Sequence, residues 1–227
     1  MRIFNWVSKH LIPRFFDKIR VGNNEDGGYV LPKISVEQCD LCVTFGLGSN
    51  ITFEEDLVNR GIPVIGFDSV QHTMPSWGSV KEFKTYSDFS SLPEVQKASA
   101  VMLKVDIEGA EWDLFETIDL AHFSEKVHTF VLELHLHYNH KNIPISKIEK
   151  LMETHRVAHV HGNNYGWCID LVPVSLEIVM VNKKWCGEPA VDTQKYPIPE
   201  FDWPNKKNSP DLNLPWLDGS VMDYNFS

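Results

Sequence analysis

Short apolar runs alternate with amphipathic stretches along most of the chain, and their spacing predicts an α/β protein. Seven runs read as strands: Leu41–Phe45, 63–67, a weaker one at 80–86, then 101–106, 129–137, 157–161 and 176–181. Between them the apolar period lengthens to that of a helix. One helix carries Phe53, Leu57 and Val58 and stops at Gly61, a residue suited to a C-terminal cap. A second spans 109–118 with Trp112, Phe115 and Ile118 along one face. A third starts at Pro144, where proline fits the first turn, and carries Ile145, Ile148, Leu151 and Met152. Strands separated by helices predict a mostly parallel sheet wrapped on both faces.

The two ends differ from this core. Residues 1–20 are amphipathic, with Ile3, Phe4, Trp6, Val7, Leu11, Ile12, Phe15 and Phe16 among Lys and Arg, and the segment is expected to dock on the body. Beyond Trp185, six of the 13 prolines predict an irregular tail. That tail also holds Phe201, Trp203, Leu212, Leu214 and Trp216, too apolar for a disordered segment, so it is expected to pack on the body or in an interface such as a homo-oligomer's. The division is a lead-in over 1–35, a core over 36–186 and a Pro-rich tail over 187–227.

Composition narrows the function. The 227 residues are 43% apolar and 23% charged, ordinary for a globular protein, and the net charge of −10 argues against a nucleic-acid partner. Cys39, Cys42, Cys168 and Cys186 are too few and too irregular for a disulfide scaffold or a zinc knuckle, and read as packing residues. No run has the roughly 20 apolar residues of a membrane span, and the start lacks a signal-peptide pattern, so the expected location is cytoplasmic.

Ligands of an open parallel sheet bind at the carboxyl ends of its strands. Gly46 and Gly48 follow the first strand, where missing side chains let backbone approach a ligand, and Asp68 ends the second strand, where a carboxylate suits ribose hydroxyls. The dinucleotide fingerprint needs a third glycine at position 51, which is Ile. An adenosine ligand without a pyrophosphate fits better, and that points to S-adenosylmethionine.

The segment Leu103-Lys104-Val105-Asp106-Ile107-Glu108-Gly109-Ala110-Glu111-Trp112 resembles the hallmark of FkbM-type S-adenosylmethionine-dependent methyltransferases. Supporting stretches are Arg20-Val21-Gly22, Asp26-Gly27-Gly28-Tyr29-Val30, Phe45 to Asn50 with Thr52-Phe53-Glu54, and Gly66-Phe67-Asp68. Over residues 20–185 the resemblance implies a Rossmann-like class I methyltransferase fold, a seven-stranded sheet with one antiparallel strand, and O-methylation of sugars or glycan precursors. It implies a cofactor site of Phe45, Gly46, Leu47, Gly48, Asp68 and Ser69. Where such enzymes commonly carry an acid before the glycine loop this chain has Phe45, so Asp26 or Asp106 is expected to meet the methionine amino group.

Methyl transfer to a hydroxyl needs alignment and a group to take the proton, or a metal that acidifies the hydroxyl. Glu133, His135 and His137 share one face of the fifth strand, next to Asp106 and Glu108 at the end of the fourth. Asp106, His135 and Glu108 are the expected catalytic residues, and Asp106, Glu133 and His135 the expected ligands of a divalent Mn, Mg, Fe or Zn ion. His161, Asn163, Asn164 and Tyr165, with Trp167, form the expected site for a saccharide or nucleotide-sugar acceptor. Two other readings use the same residues: a metal-dependent hydrolase or lyase built on Glu133, His135, His137 and His161, and a non-catalytic glycan-binding module.

Overall fold

The computed structural model describes residues 3–68, 79–82, 91–117, 126–136 and 145–217. Its strands are β1 (Lys18–Val21), β2 (Tyr29–Pro32), β3 (Leu41–Phe45), β4 (Val64–Asp68), β5 (Ser79–Glu82), β6 (Val101–Val105), β7 (Val127–His135), β8 (His155–Gly162), β9 (Cys168–Ile169), β10 (Val172–Pro173) and β11 (Ser175–Asn182). The helices are α1 (Ile3–His10), α2 (Lys33–Glu37), α3 (Thr52–Asn59), α4 (Pro93–Lys97), α5 (Glu111–Thr117), α6 (Ile145–Thr154) and α7 (Lys183–Cys186).

Seven strands form one sheet in the order β5-β4-β3-β6-β7-β11-β8. All run parallel except β11, which lies antiparallel between β7 and β8. This is a Rossmann-like α/β fold, with the seven-stranded sheet and single antiparallel strand that the resemblance implies. Its strand order reverses between β3 and β6, which opens a crevice at their carboxyl ends. The third expected strand is present as β5, and its expected residues 83–86 lie outside the described residues, as do Ile118, His137 and Pro144.

Side chains alternate across the sheet, as the two-residue strand period requires. Val43, Leu103, Leu132, Leu134, Ile178 and Met180 enter one apolar layer with α1, α5 and α6. Cys42, Met102, Val131, Val179 and Val181 enter a second layer, under α3 and the β1–β2 hairpin. Toward the carboxyl edge this second face turns polar. Thr44 pairs with Lys104 across β3 and β6, and Glu133, Glu177 and His161 stand in register across β7, β11 and β8. These groups are buried, so something polar must cover them.

Two segments do. The hairpin brings Tyr29 and the turn at Asp26, and the tail brings Asp202, Asn205 and Asp211. The described part of the tail lies against the body throughout. Lys18 donates to Asp192 at 2.6 Å in a buried ion pair, and Leu214 and Trp216 join the apolar layer that holds Phe4, the last two rings meeting edge to face. Burial would raise the Asp192 carboxyl, but hydrogen bonds from Lys18, the Gln194 amide and Tyr196, together with the Lys18 charge, outweigh it and hold the group below the usual carboxylate range. The cysteines depart from the packing expectation in part. Cys39 and Cys42 are buried thiols, whereas Cys168 is exposed on the two-residue strand β9.

Candidate active site

The crevice at the strand ends is a cavity of about 460 Å³, within the range of small-molecule sites. Asp26, Gly46, Leu47, Gly48, Asp68, Lys104, Asp106 and Glu108 are among its lining residues. The sheet itself builds the floor. Gly46 N–H donates to the Phe67 carbonyl and Asp106 N–H to the Phe45 carbonyl, each at 2.9 Å, so the loop after β3 is stitched between β4 and β6. Gly46 has φ +82°, and a Cβ there would fall 1.6 Å from the Asp106 carbonyl oxygen. Only glycine allows the two loops to close this tightly.

Asp68 Oδ2 accepts from Leu47 N–H at 2.9 Å and from Gly48 N–H at 3.4 Å, which turns the glycine loop toward the end of β4. The turn carrying Asp26 lies over this loop. Arg20 shapes it by donating to the carbonyls of Asn23, Glu25 and Phe201 at 2.6, 3.1 and 3.0 Å. Asn50 ties the glycine loop to the Asp26 carbonyl. Burial raises the Asp26 carboxyl above its ordinary value, with Glu177 and Asp106 adding to the rise and an Asn205 hydrogen bond opposing it.

Beside the cavity the carboxylates converge. The Tyr29 hydroxyl faces Asp106 Oδ2 at 3.0 Å and Glu133 Oε2 at 3.4 Å. Lys104 lies beneath, donating to the Gly46 carbonyl at 3.1 Å, with Asp106 and Glu54 carboxylates at 3.6 and 3.7 Å. Burial alone would lower this ammonium, but Glu54, Asp106 and Glu133 outweigh it and keep the charge. After β6 the chain turns sharply through Glu108, whose φ of +55° is left-handed, and Gly109 at +101°. Fully buried Glu111 organises that turn: its Oε1 accepts from Ile107 and Gly109 N–H at 3.2 and 3.1 Å and from His135 Nδ1 at 2.7 Å. His135 Nε2 then points to Glu108 Oε2, 3.4 Å away. Burial works against the imidazolium, but Glu111, Glu133 and Asp106 raise the His135 pKa above its ordinary value.

The expected residues fall into three groups. Asp26, Gly46, Leu47, Gly48, Asp68, Asp106 and Glu108 surround one cavity, with His135 at its edge. Phe45 lies under the cavity floor, buried and stacked on Phe67 at 5.0 Å; Ser69 lies outside the described residues. In the third group, the expected metal ligands Asp106, Glu133 and His135 are not all brought together. Donor atoms of Asp106, Glu108 and His135 lie within 4.8 Å of one another, whereas Glu133 is held by Asn163 and Ser175 at 2.8 and 2.6 Å.

In the expected acceptor loop, His161 is buried with its ring nitrogens on Glu177 and Asp211 at 3.1 and 3.0 Å. Asn164 bonds backbone groups of Lys206 and Pro210, and Asn163 bridges Glu133 to the Tyr165 amide. His161 and Asn164 thus anchor the tail, while Tyr165 and Trp167 are 61% and 63% exposed. Of the hydrolase set Glu133, His135, His137 and His161, His137 lies outside the described residues, and His161 is engaged by Glu177 and Asp211. Sequence reading passed over Lys104 and Glu111 as site residues; a lysine inside an apolar strand was the signal for the first.

No protein-family model matches the chain, and none of the curated proteins matches it by sequence. Among solved structures, WbdD is 13% identical with a TM-score of 0.44, covering 66% of this chain and 38% of its own. A Streptococcus mutans protein assigned as a methyltransferase and solved in complex with SAH is 8% identical, TM-score 0.34, with 66% and 93% covered. The fibrillarin pre-rRNA processing protein of Methanococcus jannaschii is 5% identical, TM-score 0.40, with 74% and 83% covered. All three scores lie below 0.5, so the functional reading rests on this chain's own geometry.

Proposed function

We propose that the chain is an S-adenosylmethionine-dependent O-methyltransferase acting on a hydroxyl of a saccharide or nucleotide-linked sugar. The observation that carries this reading is the charge of the cavity. Asp26, Asp68, Asp106 and Glu108 line it, against Lys104, the single cation among the described lining residues, which is already balanced by Glu54 and Asp106. Such a lining repels a pyrophosphate and suits a ligand that carries a sulfonium, an ammonium and ribose hydroxyls. The cavity volume and the open space at the Gly48 Cβ position accommodate such a ligand. Asp68 would take the ribose hydroxyls, and Asp26 with Asp106 the methionine ammonium.

When bound, S-adenosylmethionine supplies an electrophilic methyl: the acceptor oxygen bonds to carbon while the carbon–sulfur pair stays on sulfur, and the hydroxyl proton is released. In this reading Asp106 and Glu108 take that proton, with His135, whose carboxylate neighbours favour its charged form, beside them. The saccharide reading draws on the resemblance to FkbM-type enzymes, whose hallmark residues 103–112 here wrap the cavity. It draws also on the exposed rings of Tyr165, whose amide bonds Asn163 and through it Glu133, and of Trp167, both suited to stacking on sugar.

The test is calorimetric titration of the full chain with S-adenosylhomocysteine in EDTA, beside Asp68→Ala. Micromolar binding to the native chain, weakened at least about a hundredfold in the variant, is expected for a carboxylate shared by two ribose hydroxyls. A folded native chain that binds no S-adenosylhomocysteine would overturn the assignment. Release of S-adenosylhomocysteine across a panel of sugars and nucleotide-sugars then tests the acceptor class.

A further inference from the structure

The turn after β6 brings together a donor set that methyl transfer to a hydroxyl does not strictly require. We propose that Asp106, Glu108 and His135 bind one divalent first-row metal ion at the edge of the cavity. The ion's role rests on the methyltransferase reading; its binding site does not.

Three observations carry the inference. One donor atom from each of the three residues lies within 4.8 Å of the others, so a single ion reaches all three with a small closing movement. Glu108 is able to make that movement, because its side chain is 81% exposed whereas His135 is fixed. Two carboxylates and an imidazole are ligands for Mn²⁺, Fe²⁺ or Zn²⁺ rather than Ca²⁺.

The second observation is independent of the cluster itself. His135 donates its Nδ1–H to the fully buried Glu111 carboxylate at 2.7 Å, which orients the ring so that Nε2 faces Glu108 and would ligate an ion on losing its own proton. A carboxylate behind the non-ligating nitrogen is the usual support for a metal-bound histidine. Here Glu111 is held in turn by the Ile107 and Gly109 amides, so the support and the turn that presents Glu108 are one structure.

Charge is the third. Asp106, Glu108, Glu111 and Glu133 crowd around one imidazole and Lys104, whose ammonium is shared with buried Glu54. Carboxylates held close together at a partly buried site repel one another, and a bound cation is one way to relieve that repulsion. Glu133 is not a ligand in this arrangement, since Asn163, Ser175 and Tyr29 occupy it. Three protein ligands leave coordination positions open, and a sugar hydroxyl bound there would lose its proton more readily.

The test titrates the EDTA-stripped full chain with Mn²⁺ alone, by calorimetry and by loss of the free-ion EPR signal. One ion per chain is expected, with a dissociation constant of about 10 µM or tighter. Glu108→Gln and His135→Ala should each weaken it at least about tenfold, and Glu111→Gln by about ten- to a hundredfold. Asp17→Asn, an exposed carboxylate outside the cavity lining, should leave it unchanged. No saturable binding, or native affinity in Glu108→Gln, overturns the proposal; exposed Glu108 keeps the test open if His135→Ala fails to fold. S-adenosylhomocysteine binding in EDTA without Mn²⁺ binding removes the metal site and leaves the cofactor reading. The converse removes the cofactor reading and leaves the metal site.

Discussion

Replacing Gly46 by alanine probes the floor of the cavity, and Gly61 supplies its control. Both residues are left-handed, at φ +82° and +85°, so an added methyl group costs each about 1–2 kcal/mol of backbone strain. Around Gly61 the new Cβ meets nothing within 4 Å; at Gly46 it meets the Asp106 carbonyl oxygen at 1.6 Å. Ordinary contact begins near 3.4 Å, so that carbonyl would have to retreat by about 1.8 Å. Such a shift breaks the Gly46–Phe67 and Asp106–Phe45 hydrogen bonds that join β4, β3 and β6 at the cavity. At about 0.5–1.5 kcal/mol each, their loss adds about 1–3 kcal/mol for Gly46→Ala beyond the cost of Gly61→Ala. Urea unfolding followed by circular dichroism reads this as a larger fall in midpoint at unchanged slope. In the same preparations Gly46→Ala should lose S-adenosylhomocysteine affinity while Gly61→Ala keeps it. Equal midpoints for the two variants, or native affinity in Gly46→Ala, would falsify the account of how the loop is closed.

Two further outcomes concern stability. Burial pushes both His128 and His155 down to about 4 from 6.5, so between those values the unfolded chain binds more protons and stability falls as pH drops from about 6.5. Each histidine contributes a slope of up to about 1.4 kcal/mol per pH unit, opposed in the same window by the Glu133 carboxyl, which burial raises; urea midpoints at pH 7, 6 and 5 for the native chain and for His128→Gln isolate one histidine's share, and equal pH slopes in the two would refute the neutral buried state. Asp192→Asn leaves the Lys18 ammonium buried without its 2.6 Å partner, and should cost about 3–5 kcal/mol in the same assay. A loss below about 1 kcal/mol would mean that the pair is not buried in solution.

Much of the fold was legible because its signals are local. The apolar runs of β3, β4, β6, β7, β8 and β11 were each found to within a few residues, and the Gly46-x-Gly48 loop, Asp68 and Asp106 follow at once from strand ends. Asp26 was reached through a sequence motif alone. The β1–β2 hairpin was missed, since strands of four residues around Gly22, Gly27 and Gly28 read as a turn. Glu111 stood among the hallmark residues with no role of its own, and nothing within four residues announces its bond to His135, 24 positions away.

The sequence by itself therefore determined the order of elements, the sheet face on which each side chain stands and the strand ends where a ligand site forms, because these depend on short periods. Tertiary structure alone decided the partners of the buried polar groups. His161 stands on a polar face by its parity, yet Asp211, 50 residues on, turns it into an anchor for the tail rather than a surface for an acceptor. Glu133 and Glu108 were equivalent as carboxylates near His135. Asn163 and Ser175 took the first, and the left-handed turn at Glu108 delivered the second to the cavity. A buried polar group must find a partner, and only the folded chain fixes which one it finds.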